Sequence, residues 1–290
     1  MFINGLSVLA ASLLYLLMTR RFPEALDIEL TTWLIGLLPT YVIALVIGLP
    51  LMRLLEKKTL YKSRMSVGAF LRTFCIIIFL TYAGSVIGTW INNLLAGSAG
   101  FSVDTAVTDL VTKSSLGLVF LFSVIIAPIM EELIFRKLLI DRMIVFGDGV
   151  AIMLSAVIFG VIHGNITQCV YGFLVGWVLG YVYVRTGRIL YTIFLHMLMN
   201  FMGSVAPLLV EQSFGTHSPG YWIYLVIVVV LFLLGILFLI LQFARRKIRL
   251  LPGERTKRRV RMLAAALTNP GIWCFIASAV VVFWMNASSA

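Results

Sequence analysis

The chain has 290 residues, 61% of them apolar and only 12% charged, with a mean hydropathy of +1.05. That charged fraction is about half of what soluble domains carry, which excludes a soluble domain with a single anchor. The net charge of +11 is no nucleic-acid signature here, because the basic residues gather in short loops between apolar runs. The expected fold is all-α: a polytopic transmembrane helical bundle forming one membrane domain over residues 1–290.

On the criterion of about 20 apolar residues per span, the first window is 2–18. It lacks a basic leading region and a small-residue cleavage site, so it is expected to stay as an uncleaved span. Further windows follow at 31–52, 68–95, 115–135, 149–164, 168–184, 189–210, 220–243 and 270–286. The first is short, and the last follows Asn269-Pro270-Gly271, so eight or nine spans are expected. Trp33, Tyr41, Trp90, Tyr221 and Trp222 fall near window ends, as an interfacial aromatic belt would. Cys75, Cys169 and Cys274 sit in apolar segments without metal-ligand spacing and are taken as packing residues.

Charge sets the orientation. The loops 53–66, 136–148, 185–188 and 244–261 carry 5, 3, 2 and 9 basic residues, 19 of the 23 Lys and Arg. The alternate loops 19–30, 97–114 and 211–220 hold only Arg20, Arg21 and Lys113 against six acids. The first set is expected on the cytoplasmic side, with 244–261 as a basic cytoplasmic loop able to meet anionic headgroups. No low-complexity tract or internal repeat of the transporter kind is visible.

Three polar constellations interrupt the apolar runs. In Ala127-Pro128-Ile129-Met130-Glu131-Glu132-Leu133-Ile134-Phe135-Arg136, two carboxylates and an arginine follow the run Leu116 to Met130. An ionisable group at bilayer depth costs at least ~2.5–3.5 kcal/mol, so the cluster implies either a helix end at headgroup depth or a buried polar site. On a helix, Glu132 and Arg136 are four apart in the favoured order for an ion pair. Glu131 lies about 100° round from Glu132 and faces another neighbour. Pro128 lacks an N–H, which leaves the Val124 carbonyl unpaired and predicts a kink. The second constellation is His163, following an otherwise apolar run from Val150 to Ile162 broken only by Ser155. The third is His196 with Asn200, four apart on one face, ~12 Å and ~18 Å from the span's basic end at 1.5 Å per residue. Packing polarity and helix–helix hydrogen bonds remain alternatives for both.

Together, Glu131-Glu132-x-x-x-Arg136, Phe159-x-x-x-His163 and His196-x-x-x-Asn200, with Thr186-Gly187 before the third, resemble the signature of the CAAX protease and bacteriocin-processing enzyme family. These are intramembrane glutamic endopeptidases related to the Ras-converting prenyl-protein protease. The resemblance covers about residues 115–205. It implies that Glu131 with His163 activates a water for attack on a peptide carbonyl. His196 and Asn200 would stabilise the oxyanion, while Glu132, Arg136 and Phe159 support the site. No cofactor, metal or nucleic acid is implied. The expected partners are the bilayer and a peptide or membrane-tethered protein, lipidated or a precursor, in a prokaryotic plasma membrane.

Two other readings compete. Glu131, His163 and His196 could ligate zinc, although no HExxH motif is present. Alternatively, the chain could be a non-proteolytic adaptor in peptide immunity, or a proton-coupled transporter. Gly172-x-x-x-Gly176-x-x-x-Gly180 predicts a smooth stripe for close helix packing beside the site. His217, and the sequons at Asn165 and Asn286, are expected to be incidental.

Overall fold

A computed structural model describes residues 2–22, 29–99 and 114–254, together with Glu24 and isolated positions between 268 and 283. About half of the window 270–286 lies outside the described residues, as do Cys274, Asn286, most of loop 97–114 and the basic residues from Arg255 to Arg261. The described secondary structure is helical, apart from an isolated antiparallel bridge between Gly147 and Pro252. The helices are α1 (Phe2–Arg21), α2 (Glu29–Arg53), α3 (Val67–Ala99), α4 (Leu116–Phe146), α5 (Asp148–Val161), α6 (Ile166–Thr186), α7 (Ile189–Phe214) and α8 (Pro219–Ala244). Six of them, α2, α3, α4, α6, α7 and α8, are long and apolar enough to cross a membrane, and α5 is a shorter apolar helix. The protein is a multi-pass membrane protein, as its hydropathy dictated.

The chain divides into two compact units. One holds Met1–Lys57 and Thr256–Met285, and within it α1 packs on α2. The other holds Lys58–Arg255 and Asn286–Ala290, and it carries all three polar constellations.

Within this larger unit α6 is the central post. Its apolar face, Val175, Val178, Leu179 and Val182, meets Ile76 and Ile77 of α3 and Leu195 and Met199 of α7 in one buried cluster. Lipid is as apolar as these side chains, so tight van der Waals fit, not water exclusion, holds such helices together. The glycines provide that fit. A Cβ on Gly160 of α5 would lie 2.5 Å from the Cys169 carbonyl oxygen, and one on Gly84 of α3 would lie 2.7 Å from the Tyr171 Cα. Along α6, Gly172 faces Gly160 and His163, Gly176 faces Phe159 and Ala156, and Gly180 faces Ile152 and Ile140. The predicted glycine stripe is therefore the seam on which α5 lies.

Those described parts of the four basic stretches that belong to this unit meet one another. The Lys58 N–H donates to the Asp141 carbonyl (2.8 Å), and the Ser63 N–H to that of Thr186 (2.9 Å). Asp148 Oδ2 accepts from Arg185 (2.6 Å) and from the Leu251 N–H (2.9 Å). Lys58 pairs with Glu254. At the α4–α5 turn Gly147 takes φ +106°, a conformation that side chains with a Cβ rarely adopt.

Candidate active site

Helix α4 runs unbroken from Leu116 to Phe146, which places Glu131 halfway along it. The helix is not uniformly α. Phe120–Ile126 and Leu133–Ile140 are π-helical, and the α-helical turn Ala127–Glu132 between them carries both carboxylates. Wide π segments within a helix recur at functional sites. Here proline chemistry accounts for part of the pattern. The Ala127 N–H bonds the Phe122 carbonyl, five residues back. In that register the missing N–H of Pro128 orphans Ser123, not the expected Val124. The Asn200 side-chain amide of α7 donates to that Ser123 carbonyl at 2.7 Å. A partner helix thus satisfies the group that proline leaves open.

Glu132 and Arg136 are both fully buried, with Arg136 Nε 3.1 Å from Glu132 Oε2. The guanidinium also lies over the Phe159 ring, 4.7 Å from its centroid. A charge at this depth persists only if neutralised; one carboxylate and one aromatic face do so here. The second oxygen of Glu132 receives His196 Nδ1 at 3.0 Å. An ionised carboxylate only accepts, so Nδ1 carries the hydrogen and the ring is held in one orientation. His196 Nε2 then faces Glu131 Oε2 at 3.7 Å, too far for a direct hydrogen bond. His196 is 2% exposed, whereas the Glu131 side chain remains 19% exposed. Of the two adjacent glutamates, one is locked into the protein and the other looks outward. The 100° separation was expected to give Glu131 a neighbour of its own; instead both carboxylates face the His196 ring, one at each nitrogen.

His163 was expected within a helix. It sits instead in the turn after α5, which ends at Val161. Its backbone N–H reaches the Gly160 carbonyl at 3.4 Å, and its ring Nδ1 takes the Phe159 carbonyl at 2.7 Å. Helix ends leave their last carbonyls without partners, and the imidazole fills one of them. A carbonyl accepts only, so Nδ1 is again the protonated nitrogen and Nε2 keeps its lone pair available for a proton. The Gly164 that follows has φ +71°. Asn165 caps α6, its side-chain oxygen accepting from the Gln168 N–H at 2.8 Å.

Phe159 ties the constellations together. Its ring is edge-on to His163 (5.0 Å between centroids), His196 (5.6 Å) and Phe135 (5.3 Å). The structure therefore gathers Arg136, His163 and His196 around the Phe159 ring, and Glu132 and Glu131 join this group through His196. Asn200, one turn beyond His196, is pinned to α4 through Ser123. One of its two amide hydrogens is committed there, and the other remains to donate. Among the described residues, no three His, Cys, Asp or Glu side chains converge closely enough to hold a metal ion. His217 lies in the α7–α8 loop beside Tyr221 and Trp222. Sequence reasoning had passed over Ser155, fully buried, whose hydroxyl donates to the Phe135 carbonyl at 2.9 Å. Its signal was visible: it is the lone polar residue in the apolar run before His163.

Comparisons with known proteins point to the same segment. The chain is 29% identical over 167 residues to the Bacillus subtilis (strain 168) protein named "Putative membrane peptidase YdiL". The match covers 56% of this chain and 66% of the relative's own length, just under two thirds. No solved structure matches the chain. Residues 113–202, which hold every motif position, match the Rce1-like family, described as type II CAAX prenyl endopeptidase Rce1-like, the family toward which the motif resemblance pointed.

Proposed function

We propose that this protein is an intramembrane endopeptidase that hydrolyses a peptide bond in a membrane-associated peptide, lipidated or a precursor, without a metal. The observation that carries this reading is the placement of His196 between a locked carboxylate, Glu132 (3.0 Å), and a partly exposed one, Glu131 (3.7 Å), in the middle of an apolar helix bundle. Glu131, assisted by the free Nε2 of His163, takes a proton from a water as its oxygen attacks the peptide carbonyl. That proton then passes to the leaving amine as the C–N bond breaks. The remaining N–H of Asn200 donates to the oxyanion, and His196, oriented by Glu132 through Nδ1, does so from Nε2 in its doubly protonated form. Arg136 pairs with Glu132 within α4, and the contact of Glu132 with His196 ties α4 to α7. The match of residues 113–202 to the Rce1-like family supports a membrane peptidase.

The test is cleavage of a quenched-fluorescent library of membrane-anchored peptides by the detergent-purified protein. Wild-type cleavage should persist with a chelator. Glu131→Gln should lower kcat by about 10²–10⁴-fold, the range that general acid–base groups contribute. Retained activity in Glu131→Gln would reject the mechanism. Chelator-sensitive activity restored by zinc would assign the site to a metalloprotease.

A further inference from the structure

Serine and threonine hydroxyls inside helices usually bond back along their own helix. Thr73, Thr81, Thr186 and Ser204 do so here, each donating to the carbonyl four residues earlier. Ser155 does not. It is fully buried on α5, and it donates across to the Phe135 carbonyl of α4 at 2.9 Å. The accepting carbonyl lies in the π-helical segment Leu133–Ile140, just past the turn that carries the two glutamates.

What hangs on that carbonyl is specific. It belongs to the peptide joining Phe135 to Arg136. The Phe135 ring packs edge-on against Phe159, the ring that also touches His163 and His196. Arg136 supplies the guanidinium that faces Glu132 and covers the same ring. One hydrogen bond from α5 therefore holds the peptide from which both groups project. The opposite flank of the glutamate turn is held the same way, by Asn200 on the Ser123 carbonyl. The α-helical turn Ala127–Glu132 thus sits between two wide segments, each anchored by a polar side chain of a neighbouring helix.

We infer that Ser155 is a positioning residue of the peptidase site: its hydroxyl sets the Phe135–Arg136 peptide, and through it the Glu132–His196 pair that orients the reaction. The inference rests on the peptidase reading and names a residue outside its three motifs. Ser155 touches no reacting atom, so it acts on geometry, not on substrate affinity. Small displacements of oriented groups act strongly on the chemical step.

The experiment compares wild type with Ser155→Ala and Ser155→Thr in detergent. The readouts are kcat and KM on a cleaved peptide, thermal unfolding, and hydrogen–deuterium exchange of the segment 133–140. Ser155→Ala should lower kcat by about tenfold with KM within about twofold, the signature of lost orientation. Exchange in 133–140 should rise while exchange in α3 and α8 stays unchanged. Ser155→Thr keeps the donor and should recover most of the lost kcat. A wild-type kcat in Ser155→Ala would overturn the inference, and so would a loss that simply follows the folded fraction in both variants. The exchange measurement needs no substrate. A wild type that cleaves nothing would therefore reject the peptidase reading by itself. Unchanged exchange of 133–140 in Ser155→Ala would then reject the positioning role separately.

Discussion

At the residue scale, the buried pair Glu132–Arg136 shows why composition and chemistry must be considered together. Neither group is tolerable alone at this depth. Together, with His196 on one side and Phe159 on the other, they form one unit in which the guanidinium faces a carboxylate and an aromatic ring. Removing one partner leaves an uncompensated buried charge, which costs about 3–5 kcal/mol, whereas removing both is often mild. Arg136→Met and Glu132→Gln should each sharply lower the thermal unfolding temperature in detergent. The double variant should recover much of that stability while remaining inactive. Additive losses in the double variant would mean that the pair is not a unit. The pairing itself was legible, because the i to i+4 spacing in the Glu-before-Arg order permits little else on a helix. The third member, His196, was not. It lies 64 positions away, and no local pattern states which carboxylate a histidine on another helix will meet.

At the scale of the element, α4 departs from a simple helix because proline withholds a donor. A proline in a helix was expected to orphan the carbonyl four residues back. The π register moves that position to Ser123, and Asn200 takes it. A backbone rule thereby becomes a contact between two helices, and it orients the Asn200 amide so that its second N–H is free. Pro128→Ala returns an N–H that competes for the carbonyls near Ser123, which loosens the hold on Asn200. We expect Pro128→Ala to lower kcat, and Asn200→Ala to cost less in that background than in wild type. A double-mutant cycle on kcat/KM should give a coupling of roughly 0.5–3 kcal/mol, the range for residues sharing a network. A coupling of zero would show that Asn200 acts without reference to the proline. His163 teaches a related lesson. Its apolar run read as helix up to and through the histidine, yet the helix stops at Val161 and the ring caps an open carbonyl. Where a helix ends within an apolar run depends on which neighbour fills its last hydrogen-bond positions. Local periodicity does not encode that.

At the scale of the molecule, charge and geometry agree. Four basic stretches expected to share one side do come together among the described residues, stitched by Lys58 to Asp141, Ser63 to Thr186 and Asp148 to Leu251. The excess of Lys and Arg predicts that this end faces the cytoplasm. Single cysteines at Ser63 and Leu251, in a background lacking Cys75, Cys169 and Cys274, should react with a membrane-impermeant thiol reagent in inside-out vesicles. They should stay unlabelled in intact cells until these are permeabilised. A cysteine at Ser218, in the α7–α8 loop, should show the reverse pattern. Labelling of position 251 from outside would invert the topology.

The sequence by itself determined that this chain lives in a bilayer as helices, because burying 61% apolar residues with so few charges has no other stable solution. It also determined which residues could do chemistry, since the cost of polarity at membrane depth makes each such residue a marker. Only the tertiary structure decided how they are joined: His196 on Glu132 and facing Glu131, Asn200 on an orphaned carbonyl, and Phe159 as the common wall. It also brought Ser155 into view. The physical reason is that hydrophobicity and helix period are local properties of the chain. A hydrogen bond between helices depends on their rotation and approach, and these are set by glycine seams and π segments that only the packed molecule reveals.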